Sequence, residues 1–219
     1  MEERKHIVIL AAGDFPVGKI PLSVLCNADF VVCCDSAYLQ FSVFNIHHSQ
    51  PFIVVGDGDS LPEKQRQEIG EKFVYISEQD DNDLTKSVRW AVSRFGIEDS
   101  NYTILGATGK REDHTLGNIS LLATYIEMFP GIEMEMLTEY GRFTVASVRR
   151  TYDSFPRQQV SLFSMTPDVP VSTEGLQWPI KKRCIPRWWE GTLNSSLTDR
   201  FTVVGGKIIV FQTYEPKEV

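Results

Sequence analysis

Two carboxylates stand one residue apart directly after an apolar segment of the chain. The segment PFIVVGDGDS covers residues 51–60, and its two acidic residues are Asp57 and Asp59. Carboxylates at this spacing repel each other and raise each other's pKa unless a cation neutralises them. Hard oxygen ligands suit Mg²⁺, which usually takes one or two carboxylates together with phosphate oxygens. The pair therefore predicts a magnesium ion between Asp57 and Asp59.

Apolar segments precede this pair and recur through the N-terminal half of the chain. Five of them are HIVILAA (6–12), FVVCCD (30–35), PFIVVGD (51–57), FVYIS (73–77) and YTILGAT (102–108). Their nearly continuous apolar character is typical of strands that are covered on both faces. Longer helix-compatible segments separate them, and this alternation predicts an α/β lobe with a mostly parallel sheet.

Two of the separating segments carry a helical pattern. In DLTKSVRWAVSRFG (83–96), apolar residues recur on one face of an amphipathic helix. Asp83 is the predicted N-cap of this helix, and Gly96 stands where a C-terminal glycine is favoured. A second helix is predicted over DHTLGNISLLATYIEMF (113–129), which Pro130 and Gly131 end.

Carboxylates and other polar side chains follow the predicted strands. The carboxyl ends of parallel strands meet at one edge of a sheet, where ligands bind, so we expect these side chains to line one crevice. The set is Asp35 after the second segment, Asp57 and Asp59 after the third, Gln79, Asp80 and Asp83 after the fourth, and Arg111 and Asp113 after the fifth. A single acid in such a loop is explained equally well as a turn or cap residue. The whole set requires a cation, and we expect Asp80 and Asp83 to share the magnesium ion.

Two basic residues near these carboxylates are candidates for binding phosphate. Lys86 follows Asp83 by three residues, and Arg111 offers a planar fork of donors that matches phosphate oxygens. Gly106 and Gly109 leave the loop after the fifth segment free to bring its N–H groups close to a ligand. The sequence thus predicts a metal–polyphosphate site.

The alternation of strand-like and helix-compatible segments ends at about residue 132. The segments IEMEMLTEYGRFTVAS (132–147) and RFTVVGGKIIVFQTY (200–214) carry β-type residues with glycine-containing breaks. We therefore predict an N-terminal α/β domain over residues 1–131 and a smaller antiparallel β domain over residues 132–219.

Composition excludes several classes of function. The chain has 219 residues and a net charge of −7, which disfavours binding to nucleic acid. No apolar run approaches the ~20 residues that a membrane-spanning helix needs, so no membrane partner is expected. The N-terminal segment MEERKHIVIL lacks the features of a signal peptide, and we expect a cytoplasmic protein.

Three N-terminal motifs together resemble those of the thiamine pyrophosphokinase family. They are GDGDS (56–60), EQDDNDLTKSV (78–88) and GATGKREDHTLGNI (106–119). The C-terminal segments GLQWPI (175–180) and GTLNSS (191–196) are similar to two further segments of that family. The resemblance covers nearly the whole chain.

The resemblance implies an α/β lobe and a β-sandwich lobe in a homodimer, with the active site at the subunit interface. It further implies Mg²⁺-dependent transfer of the pyrophosphoryl group of ATP to thiamine, which gives thiamine diphosphate and AMP. The implied metal ligands are Asp57, Asp59 and Asp83, with Gln79, Asp80, Thr85, Lys86, Arg111 and Asp113 around ATP, and Trp178, Thr192 and Asn194 around thiamine. Asp35 and Asp113 are candidates for the base that receives the proton of the attacking hydroxyl.

Several alternatives stay open at this point. Trp178 offers an indole face that attracts the cationic thiamine, but it is equally explained as core filling. The whole chain is also compatible with a non-catalytic magnesium–nucleotide sensor. A third possibility is a pyrophosphokinase that uses another alcohol as acceptor.

Overall fold

The computed structural model describes residues 4–217, and these residues form two compact units. The first unit contains the chain up to Leu121 together with Met128–Glu139. The second contains Leu122–Glu127 together with the chain from Tyr140 onward. Within residues 4–217, none of the helices combines the length and the apolar character needed to cross a membrane.

The sheet of the first unit is parallel, as predicted. Its strands are β1 (Lys5–Leu10), β2 (Phe30–Cys34), β3 (Phe52–Gly56), β4 (Phe73–Tyr75), β5 (Ser100–Leu105) and β6 (Met134–Leu137). They pair in the order β6-β5-β1-β2-β3-β4, and every pair is parallel. The chain runs outward from β1 to β4 and then returns to the other side of β1 as β5. The carboxyl ends of β1 and β5 therefore form a topological switch point, where ligands bind in sheets of this kind.

Each of the five crossovers between consecutive strands of this sheet contains one α-helix. The helices are α1 (Lys19–Cys26), α2 (Ala37–Asn45), α3 (Glu63–Ile69), α4 (Asp83–Phe95) and α5 (Glu112–Met128). The fully buried Leu25 of α1 and Phe41 of α2 pack with buried strand residues such as Val8 and Val31 in one core cluster. This packing fixes the strand ends that carry the candidate site.

The start of α4 differs from the prediction by one residue. Asn82 is the N-cap, and its side-chain oxygen accepts a hydrogen bond from the Thr85 backbone N–H at 2.8 Å. The prediction that Asp83 caps this helix is therefore wrong. Both residue types cap well, so the sequence Asp-Asp-Asn-Asp could not decide between them. As the first helical residue, Asp83 keeps its carboxylate for other contacts.

The second unit is built from antiparallel strands, as predicted. They are β7 (Gly141–Asp153), β8 (Gln158–Ser164), β9 (Ser172–Glu174), β10 (Asn194–Ser195) and β11 (Arg200–Pro216). Strand β11 pairs with β7, β8 and β9, and β10 pairs with β8. The pairing of β11 with β7 shifts between Val204 and Lys207, where both intervening glycines have positive φ. The bulge allows one long strand to contribute both ends to a single apolar core, through Phe201 before it and Ile208 after it.

The observed units do not divide the chain at a single position. The predicted domain boundary lies between residues 131 and 132, before β6, but β6 pairs with β5 and belongs to the first unit. The segment Leu122–Glu127 of α5 instead belongs to the second unit. The assignment of ATP binding to residues 1–131 and thiamine binding to residues 132–219 stays a prediction.

Candidate active site

A cavity of about 360 Å³ lies at the switch point of the parallel sheet. Its lining comes from the segments that follow β1, β2, β3 and β5 and from the first turns of α4 and α5. These residues are Ala11, Ala12, Gly13, Cys34, Asp35, Ser36, Ser60, Asn82, Asp83, Leu84, Ala107, Gly109, Lys110, Arg111, His114 and Asn118. The predicted crevice at the strand ends is therefore present, and it includes Asp35, Asp83 and Arg111.

Three carboxylates form a compact group next to this cavity. Each of Asp35, Asp57 and Asp59 offers one oxygen, and these oxygens all lie within 4.8 Å of one another. Asp35 follows β2, and the other two follow β3. Gly58, between them, has a φ of 73°, a backbone conformation that favours glycine, and this turn lets the Asp59 N–H donate to Asp57 Oδ1 at 3.2 Å. The spacing of the pair thus turns both acids toward one point.

Asp35 is the buried member of this group. Its exposed fraction is only 2%, and its Oδ2 accepts a hydrogen bond from the Ser60 backbone N–H at 3.2 Å. Among the described residues, its Oδ1 has no hydrogen-bond partner. Burial, followed by the charge of Asp83, raises the pKa of Asp35 to about 6. A side chain at Gly56 would lie 2.8 Å from the Cβ of Asp35, so the end of β3 requires glycine.

Lys86 joins two of the predicted metal ligands. Its Nζ lies 3.3 Å from Asp57 Oδ2 and 3.4 Å from Asp83 Oδ1. Burial alone would lower the pKa of Lys86, but the hydrogen bond to Asp57 and the charge of Asp83 outweigh it and raise the pKa. Gln79 donates to Asp57 Oδ2 at 2.9 Å, and this hydrogen bond is the main cause that lowers the pKa of Asp57. The charges of Asp57 and Asp83 are therefore partly balanced by the protein itself.

Asp80, Asp83 and Thr85, the other predicted site residues between β4 and α4, differ in burial and in their contacts. Burial raises the pKa of Asp83, although the charge of Lys86 acts in the opposite direction. Asp80 is exposed and lies outside the group of three carboxylates. Thr85 is buried in the first turn of α4. The structure thus brings Gln79, Lys86 and Asp83 to Asp57, whereas Asp80 is not part of this contact set.

Arg111 and Asp113 form a pair at the start of α5. The guanidinium donates to the carboxylate twice, from Nε at 3.1 Å and from an Nη at 2.6 Å, and both side chains are exposed. This contact lowers the pKa of Asp113. Asp113 is therefore poorly suited to accept a proton. The preceding Gly109 has a φ of 79°, and a Cβ there would overlap the carboxylate of Asp14. The loop thus depends on glycine, as its sequence indicated.

A second cavity, of about 500 Å³, lies within the second unit. All three residues predicted to surround thiamine line it, together with Pro179, Ile180, Lys181, Arg183, Glu190, Gly191 and Leu193. Trp178 is 57% exposed, which contradicts its interpretation as core filling. Asn194 holds the backbone of Trp178 through two hydrogen bonds: its Nδ2 donates to the Trp178 carbonyl at 2.7 Å, and its Oδ1 accepts from the Trp178 N–H at 3.1 Å. Asn194 thus positions Trp178. In the same cavity, the Thr192 hydroxyl donates a hydrogen bond to the Trp189 carbonyl at 2.8 Å.

Sequence reasoning missed several residues of the two cavities. Asn118 of α5 donates to the Ala107 carbonyl at 2.8 Å and so connects the helix to the loop after β5. Its position four residues after His114 placed both on one helix face, a signal that was available in the sequence. Glu190 lines the second cavity and contacts Arg183 at 3.3 Å. No spacing rule links these two residues, so only the folded structure reveals the contact.

Comparison with known proteins decides the family. A family model described as the catalytic domain of thiamin pyrophosphokinase matches residues 22–135. A second model, described as the substrate-binding domain of thiamin pyrophosphokinase, matches residues 141–211. The chain belongs to the thiamin pyrophosphokinase family. The predicted resemblance is therefore confirmed over most of the sequence.

Individual members of the family show partial similarity in sequence and extensive similarity in fold. Thiamin pyrophosphokinase 1 of Caenorhabditis elegans is 35% identical over 104 residues, which are 46% of this chain and 42% of that protein. Thiamine pyrophosphokinase of Bacillus subtilis is 38% identical over 76 residues, 33% of this chain and 34% of that protein. The matched stretches thus span less than half the length of these two relatives.

The solved structures of family members show the same fold as this chain. Thiamin pyrophosphokinase from Candida albicans superposes with a TM-score of 0.79 at 16% identity, over 96% of this chain and 90% of that one. The Bacillus subtilis enzyme gives a TM-score of 0.74 at 21% identity, over 95% and 99% of the two chains. In this family, the parallel sheet and the antiparallel strands described above therefore recur together.

Proposed function

We propose that the protein is a thiamine pyrophosphokinase, which transfers the pyrophosphoryl group of ATP to thiamine and releases thiamine diphosphate and AMP. The observation that carries this proposal is the group of three carboxylates at the switch point of the sheet, beside a buried lysine and an exposed arginine. Membership of the family supports the same activity. The reaction class needs positioning of the polyphosphate and stabilisation of its charge, and this edge offers both.

The carboxylate group fits a hard divalent cation such as Mg²⁺. Oxygens of Asp35, Asp57 and Asp59 lie within 4.8 Å of one another, and one buried oxygen lacks a partner among the described residues. Asp57 and Asp59, with the predicted Asp83 and Asp80, would hold the ion. Bound there, Mg²⁺ would neutralise charge on the phosphate oxygens of ATP during transfer.

The chain's own residues supply the remaining contacts with ATP. Arg111 is exposed at the rim of the cavity and offers its guanidinium to phosphate oxygens. Lys86 sets the orientation of Asp57 and Asp83, and Gln79 does the same for Asp57. The glycine-containing loop after β5 offers its backbone N–H groups to the phosphates. These groups orient the polyphosphate for attack by the thiamine hydroxyl.

Thiamine binds in the second cavity, against the exposed indole of Trp178. An aromatic face attracts a cationic ring, and Asn194 keeps this face in place through the backbone of Trp178. The apolar side chains of Leu193 and Trp189 are also exposed in this unit. We infer that the protein is a cytoplasmic homodimer and that its second unit is a β-sandwich. We also infer that the partner chain completes each active site. The bulged strand β11, which serves one core from both of its ends, supports the sandwich.

The decisive experiment incubates the protein with ATP, Mg²⁺ and thiamine and identifies the products by mass. Thiamine diphosphate and AMP are expected in equal amounts. ADP with thiamine monophosphate would overturn the proposal, and binding of ATP without turnover would indicate the sensor alternative. A panel of other alcohols tests the acceptor. Asp57→Asn and Asp59→Asn are each expected to abolish turnover while the circular dichroism spectrum stays unchanged, and near-normal turnover at limiting Mg²⁺ would contradict their role as ligands.

A further inference from the structure

Glu190 is, within the described part of the chain, the one acidic residue that lines the cavity around Trp178. Its side chain is 15% exposed, and its Oε2 accepts a hydrogen bond from a guanidinium nitrogen of Arg183 at 3.3 Å. Among residues 4–217, no other charged side chain pairs with it. A carboxylate offers about four acceptor positions, so this single ion pair leaves Glu190 with capacity for a ligand.

A short 3₁₀-helix (Trp188–Gly191) fixes the position of Glu190. The helix begins with a tryptophan whose ring packs edge-on against Phe163 of β8, with 5.6 Å between the ring centroids. At the other end, a Cβ on Gly191 would lie only 2.1 Å from the Leu162 carbonyl oxygen, so the helix rests directly on the backbone of β8. A carboxylate held between two such contacts loses little conformational entropy when it binds a ligand.

The charges that line the cavity differ in their exposure to water. Lys181 and Arg183 also line it, but both are exposed, and the charge of Arg183 is already paired with Glu190. An interaction between charges becomes stronger as water is excluded from their surroundings. Glu190 is therefore the charged group of this cavity whose interaction with a ligand is least weakened by water.

We propose that Glu190 determines specificity for the acceptor: its carboxylate binds the positively charged ring of thiamine beside Trp178 and so selects a cationic acceptor over a neutral one. The indole face attracts a cation only through its quadrupole, whereas the carboxylate carries a full opposite charge. This inference rests on the proposed binding of thiamine in this cavity, but it is tested by binding alone, without ATP and without turnover.

The test compares two ligands of the full chain by isothermal titration calorimetry: thiamine, and an analogue of the same shape whose thiazolium ring is replaced by a neutral thiophene ring. Glu190→Gln keeps the size of the side chain and an acceptor for Arg183 but removes the charge. Contacts with a charged group typically change affinity by about ten- to a hundredfold, so we expect this loss for thiamine and an unchanged affinity for the neutral analogue. Glu174→Gln, an exposed glutamate of β9 outside the lining of the cavity, is the matched control and should leave both affinities unchanged.

A second variant separates the charge of Glu190 from its ion pair with Arg183. Arg183→Gln removes the partner but keeps the acid, and it also removes a cation that opposes a cationic ligand. Thiamine should therefore bind to Arg183→Gln at least as tightly as to the wild type. If Arg183→Gln instead weakens thiamine binding as much as Glu190→Gln does, the ion pair has only a structural role and the proposal is overturned.

Unchanged thiamine affinity in Glu190→Gln, an equal loss for both ligands, or a wild type that does not bind thiamine would each overturn the proposal. If the variants do not fold, a crystal structure of the wild type with thiamine decides the question. A Glu190 oxygen within the ~4 Å of an ion pair from the thiazolium ring supports the proposal, and a ring bound away from Glu190 refutes it. A wild type that binds thiamine through Glu190 but forms no AMP refutes the proposed function alone. A wild type that forms AMP and thiamine diphosphate while Glu190→Gln binds thiamine normally refutes this inference alone.

Discussion

Replacing Asp35 with asparagine should stabilise the metal-free protein at neutral pH. Burial raises the pKa of this carboxyl from its ordinary 3.8 to about 6 in the folded chain. Each tenfold change in proton affinity corresponds to ~1.4 kcal/mol, so the charged carboxylate destabilises the fold by about 3 kcal/mol. An asparagine side chain at this position would carry no charge and would still accept the hydrogen bond from Ser60. We therefore expect Asp35→Asn to increase the free energy of unfolding by up to this amount.

The effect has a defined pH dependence. Because the folded chain holds the Asp35 proton more tightly than the unfolded chain, wild-type stability falls as the pH rises from about 4 through about 6. The asparagine variant lacks this titration. The difference between the two proteins should therefore be close to 3 kcal/mol at pH 7.5 and small at pH 4.

Urea unfolding in the presence of EDTA measures the free energy of unfolding of the wild type and of Asp35→Asn at pH 7.5 and at pH 4. Asp168→Asn, an exposed acid of the second unit, serves as the control, because an exposed substitution away from special features changes stability by less than about 0.5 kcal/mol. A variant less stable than the wild type at pH 7.5, or a difference that is the same at both pH values, would refute the reasoning.

Three other substitutions test separate parts of the structure. Lys86→Met leaves Asp57 and Asp83 without their shared cation and should lower the free energy of unfolding by about 2–4 kcal/mol. Urea unfolding measures this change, and an unchanged urea midpoint would contradict the ion-pair assignment. Gly109→Ala should lower the free energy of unfolding by about 1–3 kcal/mol, because Gly109 has a φ of 79° and a Cβ there would overlap the side chain of Asp14. Gly117→Ala in helix α5 is the control and should be neutral or stabilising, because a Cβ there meets open space. Equal effects of the two substitutions would argue against backbone strain at Gly109. Asn194→Ala removes both hydrogen bonds to the Trp178 backbone and should raise KM for thiamine more than it lowers kcat, and a change in kcat alone would contradict its positioning role.

Strands β1–β5 and helix α4 could be predicted from the sequence, because burial on both faces and a 3.6-residue period leave direct patterns, and Pro130 and Gly131 marked the end of helix α5. Helix α2 could not be located in this way, since Ala37–Asn45 is apolar around most of its circumference and carries no capping side chain. The edge where the carboxylates meet followed from strand order alone. The contact of Lys86 with Asp57 did not, because the two residues are 29 positions apart and belong to different elements.

The roles of individual acids depended on burial, which spacing does not encode. Asp35 and Asp113 both follow strands, and the sequence offered them equally as bases. The structure buries one beside two carboxylates and pairs the other with Arg111 at the surface, so their pKa values move in opposite directions. Likewise, the sequence suggested that Asn194 contacts a substrate, whereas its side-chain amide is engaged with the chain itself.

The alternation of the two units along the chain constrains how the protein can be synthesised or divided. The chain passes from one unit to the other after Leu121, after Glu127 and after Glu139, so neither unit is a continuous segment. During translation, strand β6 leaves the ribosome after the helical segment that belongs to the second unit, and the set of parallel strands is complete only once Leu137 has emerged. A fragment that ends at residue 131 would lack β6 and would expose the edge of β5. Tags, fusions and permuted termini should therefore be placed in surface loops inside one unit. Division of the chain after residue 131 would leave each fragment with a segment that belongs to the other unit.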